Sequence, residues 1–374
     1  MPRACGATGR RRRTSPGSRR PRRGRVVRDL RRPAKGVKMQ RALSVGLVAS
    51  LLLTACGGAP TPAAPPAASA TPAPVKVSAS YSNVIASNLP LWVAKEAGIF
   101  SRHGLDVELT LVESSKGIPA LLTGDVKFAH IGGSEVVSAA AGGADLVIVG
   151  GTVPVWPYVL IVAPDIKKPE DLKGKKLAIA GIGGSYDIAA RVLLPRLGLK
   201  PDDDVAIIAT GSVANATAAL ASGAVQATLS QPPDQLALEP KGFHVIANLA
   251  DLHLSTANTT IAATRAFVNG NRDVTQRYVD AIVEAIAREK KDRPFALDVL
   301  KTYLKVTDTN ALNATYDHYV GTVIPSAPYV RADQFGDVIQ TLGRTNEKVR
   351  TFDVSKILDE SFVKSAIDRG VDTR

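Results

Sequence analysis

Four short segments of this chain place small, hydrogen-bonding and acidic side chains after an apolar run and before a helical pattern. They are Tyr81-Ser82-Asn83, Gly132-Gly133-Ser134-Glu135, Gly181-Ile182-Gly183-Gly184-Ser185-Tyr186-Asp187 and Gln231-Pro232-Pro233-Asp234. At such positions the free N–H groups of a helix's first turn attract an anionic or polar group, each exposed end contributing about 0.3–1 kcal/mol. The candidate ligand contacts are Tyr81 to Asn83, Gly133 to Glu135, Gly183 to Asp187, and Gln231 with Asp234. The competing assignment for the Ser and Asp residues is simple helix capping, and Ser134 and Ser185 suit both roles. Trp156, between Pro154 and Pro157, does not fit inside a helix. It is a further candidate, placed either to stack on a flat ligand or to pack between the halves of the chain.

Other chemistries fit less well. Gly181–Tyr186 resembles a dinucleotide fingerprint in outline, but that motif needs glycine at its sixth position, where Tyr186 stands. The acid expected after the next strand is also missing, since Asp202, Asp203 and Asp204 precede Val205. The five histidines (103, 130, 244, 253 and 318) form no ligand pair at helical or strand spacing, so no metal site is expected. There is no nucleophile elbow and no phosphate-binding P-loop. No cofactor is expected, and the chain does not read as an enzyme. A small molecule held by neutral polar and acidic groups is the expected partner. Glu135, Asp187 and Asp234 suit the N–H groups of a nitrogenous ring better than nitrate.

Strands and helices alternate behind these segments. Val75–Tyr81, Leu105–Val112 and Val126–Ile131 read as strands, with helices at Leu89–Ala97 and Ile118–Leu122 closed by Gly98 and Gly124. About one hundred residues on, the series repeats. Strands fall at Lys176–Ala180, Val205–Thr210 and Val225–Ser230, and helices at Tyr186–Leu197 and Val213–Ala221 end at Gly198 and Gly223. Two βαβαβ series predict two α/β lobes, each a mainly parallel sheet flanked by helices, with binding loops at the strand C-termini. The expected division is 75–160 with 260–374 for lobe one and 161–259 for lobe two. Thr259–Thr264 is the expected return strand, and the helices from Val274 onward should wrap lobe one.

The N-terminal region has a different character. The 374 residues carry a formal net charge of +13. The excess lies upstream: residues 1–55 hold sixteen Lys and Arg against the single acid Asp29. Residues 1–38 read as a basic extension ahead of a start at Met39, or at Val37 just before it, and nucleic acid is not an expected partner. Residues 39–56 have the marks of a secretory signal: Arg41, a short apolar core, then Leu53-Thr54-Ala55-Cys56. That ending resembles the lipobox of bacterial lipoproteins, which implies lipidation of Cys56 and a tether to the outer face of the cell membrane. Residues 57–74 carry six prolines among alanines and form a stiff linker. Cys5 and Cys56 are the only cysteines, so the exported body has no disulfide or thiolate chemistry.

The body resembles the periplasmic substrate-binding proteins of ABC importers, in the nitrate/sulfonate/taurine and thiamine-pyrimidine branch. The resemblance runs from Val75 to about Val320. It rests on Leu91-Trp92-Val93-Ala94-Lys95-Glu96-Ala97-Gly98-Ile99-Phe100, Gly104-Leu105-Asp106-Val107-Glu108-Leu109 and Ala120 to Ile131. It continues in Pro169-Glu170-Asp171-Leu172-Lys173-Gly174-Lys175-Lys176, Gly184-Ser185 and Ala250-Asp251-Leu252. It implies a type II two-lobed binding-protein fold with extra C-terminal helices on lobe one. It further implies a monomer that closes over a small ligand and delivers it to a membrane permease. Two other roles remain open on this fold. One is a thiamine-pyrimidine synthase-like or menaquinone-pathway lyase-like enzyme, and the other is a ligand-sensing lipoprotein.

Overall fold

The computed structural model describes residues 73–252 and 254–373. The basic extension, the signal segment with Cys56 and nearly all of the linker lie outside the described residues, as does His253. Ten strands among the described residues form two five-stranded sheets. The first contains β1 (Val75–Tyr81), β2 (Leu105–Leu111), β3 (Phe128–Ile131), β4 (Leu146–Val155) and β10 (Ser255–Thr264), in the order β2-β1-β3-β10-β4. The second contains β5 (Val159–Val162), β6 (Lys175–Ile179), β7 (Val205–Ala209), β8 (Ala227–Ser230) and β9 (His244–Asn248), in the order β7-β6-β8-β5-β9.

The two sheets share one plan, and the hundred-residue repeat extends to strand register. Val75 pairs with Leu105 and Lys175 with Val205, each at the start of a parallel ladder. The repeated glycines close helices because each takes a left-handed backbone: φ is 65° at Gly98, 80° at Gly124, 75° at Gly198 and 77° at Gly223. A side chain is costly there.

The sheets are more mixed than the alternation of strands and helices implies. In each, the fourth strand in spatial order is antiparallel to both neighbours: β10 against β3 and β4, and β5 against β8 and β9. These two strands follow the points where the chain crosses between sheets, from β4 to β5 and from β9 to β10. A strand entering a sheet directly from its neighbour lobe, without a crossover helix, arrives running the opposite way. Strand β10 also begins four residues before the expected Thr259, and its pairing with β4 shifts register between Ser255 and Thr259. Such an irregularity re-aims side chains locally.

Eight of the helices hold the cleft or support the sheets behind it: α1 (Leu89–Glu96), α2 (Gly133–Ala141), α3 (Ser185–Arg196), α4 (Val213–Ala221), α5 (Asp234–Leu238), α6 (Arg272–Lys291), α7 (Thr309–His318) and α8 (Gly336–Leu342). Helix α6 buries Thr275, Tyr278, Val279, Ile282, Val283 and Ile286, the three-and-four spacing of one helix face. Tyr278 stacks on Phe128 of β3 at 3.9 Å and on Phe100 at 5.3 Å. Its hydroxyl lies 3.0 Å from His130 Nε2. Burial lowers the His130 pKa to about 3, so this imidazole stays neutral. Helix α6 packs on α1 and β2 of the first lobe, and α7 is tied to α6 by the Tyr316 hydroxyl, which donates to the Glu289 carbonyl. Helix α8 goes further and packs on α3 of the second lobe, so the chain end also bridges the lobes. No helix among the described residues is long and apolar enough to cross a membrane.

Candidate functional site

Between the sheets lies a cavity of about 880 Å³, within the range of small-molecule sites. Both lobes line it with the loops that follow their strands. The first lobe contributes Ser82, Asn83, Asn88, Gly132 and Glu135; the second contributes Gly181, Gly184, Ser185, Ser212 and Asp234. The residues flanking the crossings contribute Tyr158, just before β5, and Asn258, near the start of β10.

Tyr158 and Tyr186 form one wall. Their rings are 4.3 Å apart and 30° from coplanar. Asn258 Nδ2 donates to the Tyr158 hydroxyl at 2.7 Å, and Gln231 Nε2 donates to the Tyr186 hydroxyl at 2.8 Å. Burial pushes both phenols above their ordinary pKa, so both remain neutral hydrogen-bonding groups at physiological pH. Trp156 lies on the far side of Tyr158, its ring 6.1 Å away, is 1% exposed and does not line the cavity. Tyr319, in a π-helical turn that continues α7, sits within electrostatic reach of Tyr158, Tyr186 and Asp234. The Tyr319 hydroxyl, Trp156 Nε1 and Gln231 Oε1 are buried without a hydrogen-bond partner among the described residues.

The charges inside the cavity are acidic. Burial raises the carboxyl pKa of Glu135 and of Asp234. Glu135 Oε2 accepts from Ser134 Oγ at 2.6 Å. Among the described residues Lys241 is the one cationic side chain lining the cavity, and both it and Glu113 are exposed at its rim. Glu113 is already paired with Lys116 at 3.0 Å. An interior lined by two half-buried carboxyl groups, with its cation out at the rim, favours N–H donors over free anions.

The structure gathers part of the candidate set and sends the rest elsewhere. Ser82, Asn83, Glu135, Gly184, Ser185, Tyr186 and Asp234 line the cavity. Tyr81 packs edge-on against Trp92 at 5.9 Å, and Trp92 stacks on Tyr303 inside the first lobe. Gly133 fills a packing role: a Cβ there would stand 2.8 Å from Ala257 O and from Phe335 Cε1. Its neighbour Gly132 faces the cavity instead. Ser134 is buried and serves Glu135. Asp187 turns back on its own loop, where Oδ2 accepts from Gly183 N–H at 2.8 Å and Oδ1 from Arg191 Nε at 2.9 Å. It braces the glycine loop from behind the cavity. Gln231 reaches the site only through Tyr186. The lining residues Asn88, Tyr158, Ser212 and Asn258 carry no mark in the sequence that singles them out. Tyr158 follows Trp156 by two positions, but nothing in the local pattern marks Asn258.

Comparison with known proteins agrees with this architecture. Residues 86–292 match the family model described as NMT1/THI5 like. A riboflavin-binding protein, RibY of Chloroflexus aurantiacus, is 26% identical over 265 residues, covering 66% of this chain and 73% of that protein. The aliphatic sulphonate binding protein SsuA of Escherichia coli superposes with a TM-score of 0.63 at 24% identity, over 76% of this chain and 92% of its own. The nitrate-binding protein NrtA of Synechocystis PCC 6803 gives a TM-score of 0.62 at 15% identity, over 79% and 89%. At these identities the two structures establish the two-lobed periplasmic-binding-protein fold. With the family model spanning more than half of its length, the chain belongs to the NMT1/THI5-like family.

Proposed function

We propose that this protein is the solute-binding component of an ABC importer. It captures a small organic ligand between its lobes and delivers it to a membrane permease, acting as a monomer tethered through a lipid on Cys56. The observation that carries the reading is the two-sided cavity itself, lined by both lobes and by residues beside both crossings. A ligand that touches both lobes favours the closed state through its differential affinity for it.

The ligand class follows from the lining. Two half-buried carboxyl groups accept N–H donors, neutral serines and asparagines exchange hydrogen bonds, and a tyrosine wall supplies apolar ring surface. This suits a neutral or weakly charged, nitrogen-bearing ring compound. The likeness to a riboflavin-binding protein supports the same direction, and 880 Å³ leaves room for a multi-ring ligand. Mass spectrometry of what co-purifies with the protein, followed by calorimetry with riboflavin, an aminopyrimidine, methanesulfonate and nitrate, tests the proposal. Binding of a ring compound, weakened by Tyr186→Ala, is expected. Tight binding of the anions alone would refute the ligand class, and turnover of any bound compound would refute the transport role.

A further inference from the structure

Helices α2 and α3 begin on opposite sides of the cleft, and neither is capped by a side chain at its start. Each has glycine at the N-cap, Gly132 for α2 and Gly184 for α3, with no side-chain cap hydrogen bond. Both therefore present first-turn N–H groups without an intrahelical partner, together with the positive end of the helix dipole. The two starts come close together. A methyl group on Gly132 would collide with both Glu135 Oε2 from its own lobe and Ser185 Oγ from the other. A methyl on Gly184 would stand 3.2 Å from Glu135 Oε1. Ser185 Oγ lies 3.4 Å from the carbonyl oxygen of Asn258, on the first sheet. Two positive helix ends this close together attract an anion, and the group beside both N-cap glycines is the Glu135 carboxyl.

We propose that Glu135 is a built-in counter-anion that occupies the meeting point of α2 and α3, draws the two lobes together and excludes free oxyanions from the site. The exclusion follows from charge and space together. An incoming sulfonate or nitrate has to displace a carboxylate that is already seated, or share the space with a like charge. The same position without a carboxylate is an oxyanion site. The specificity half of the inference rests on the solute-binding reading; the lobe-holding half does not.

Glu135→Gln and Glu135→Ala in the full-length protein test this, with Gly132→Ala as a third variant that dislodges the carboxylate without removing it. Calorimetry with methanesulfonate should show no binding to the wild type and an affinity at least tenfold higher for Glu135→Ala. X-ray scattering of the unliganded proteins should give a larger radius of gyration for Glu135→Ala and Gly132→Ala than for the wild type. Methanesulfonate should restore the compact form of Glu135→Ala. Equal methanesulfonate affinity in wild type and variants, with unchanged unliganded dimensions, overturns the proposal. A gain in anion affinity in a protein that binds no ring compound leaves the counter-anion standing and removes only the proposed ligand class.

Discussion

Replacing Glu289 by methionine should stabilise the protein at neutral pH and leave it nearly unchanged in acid. Glu289 lies in α6, fully buried, and neither carboxyl oxygen has a hydrogen-bond partner among the described residues. Burial holds its pKa well above the usual carboxylate range, with the Lys290 ammonium pulling weakly the other way. That ammonium is itself committed to the carbonyls of Val320 and Ile324, at 2.9 and 2.7 Å. In the unfolded chain the same carboxyl ionises near its ordinary value of about 4.3. The folded state thus binds a proton that the unfolded state has released. The contribution of this group to stability is fully present below about pH 4.3 and is lost as pH rises toward the folded pKa, at about 1.4 kcal/mol per pH unit. By pH 7 the loss cannot exceed about 4 kcal/mol.

Methionine has similar length, no charge and no unsatisfied polar atom, and a swap of similar volume costs less than about 1.5 kcal/mol. Urea unfolding of wild type and Glu289→Met at four pH values spaced between mildly acidic and mildly alkaline, followed by circular dichroism, isolates the effect. Titrating groups that do not interact with Glu289 cancel in the difference between the two proteins; Lys290 and Tyr316, which do interact with it, stay in that difference. The gap should grow with pH in favour of the variant. Parallel stability curves across that range would refute the reasoning, because they would mean that Glu289 is ionised or solvated in the fold. The result bears on the cleft as well. The Glu289 carbonyl accepts from the Tyr316 hydroxyl at 2.9 Å, fastening α7, whose continuation carries Tyr319, a buried phenol within electrostatic reach of Tyr158 and Tyr186.

Other perturbations separate packing from binding. Gly133→Ala places a methyl 2.8 Å from Ala257 O, a backbone atom, and from the Phe335 ring; it should destabilise the protein by about 1–3 kcal/mol, read as a lower midpoint in thermal denaturation. Asp187→Ala leaves Gly183 N–H without its acceptor and Arg191 with Asp202 alone, a change worth about 1–3 kcal/mol. It should also loosen the glycine loop and weaken ligand affinity in calorimetry, although Asp187 does not line the cavity. Cys56→Ser should abolish incorporation of a labelled fatty acid while the purified body binds ligand as before; label retained by the variant would rule out Cys56 as the anchor.

Much of the frame is written in local pattern. The glycine stops at Gly98, Gly124, Gly198 and Gly223 mark helix ends because a left-handed backbone is cheap only for glycine. The hundred-residue echo between Gly98 and Gly198 reappears as matched register in the two sheets. The antiparallel strands β5 and β10 are harder to read, because strand direction depends on how the chain crosses between lobes and on no local propensity. For the same reason Asn258 escapes a reading of the sequence: its approach to Tyr158, one hundred residues away, arises from a shifted register within β10. For Trp156 the packing alternative is the one the structure takes. Flanking prolines exclude a helix correctly, but they say nothing about which way the indole faces, and it faces the interior. Gly132 and Gly133 differ only in orientation, which no composition reveals.

The topology gives a physical reason why binding and closure should be coupled in such a molecule. Each sheet receives one strand directly from the other lobe, and residues beside both crossings are among those that line the cavity. Tyr158 stands one residue before β5, Asn258 is the fourth residue of β10, and a hydrogen bond joins them. A ligand that packs on Tyr158 therefore presses on a bond between the two connecting strands as well as on the lobes beyond them. The uncapped starts of α2 and α3 meet nearby, so the energy of lobe contact and the energy of ligand contact are drawn from the same few groups. Changing Glu135, Tyr158 or Asn258 should shift both quantities together, whereas changing Trp92 or Tyr278, deep inside the first lobe, should move stability alone.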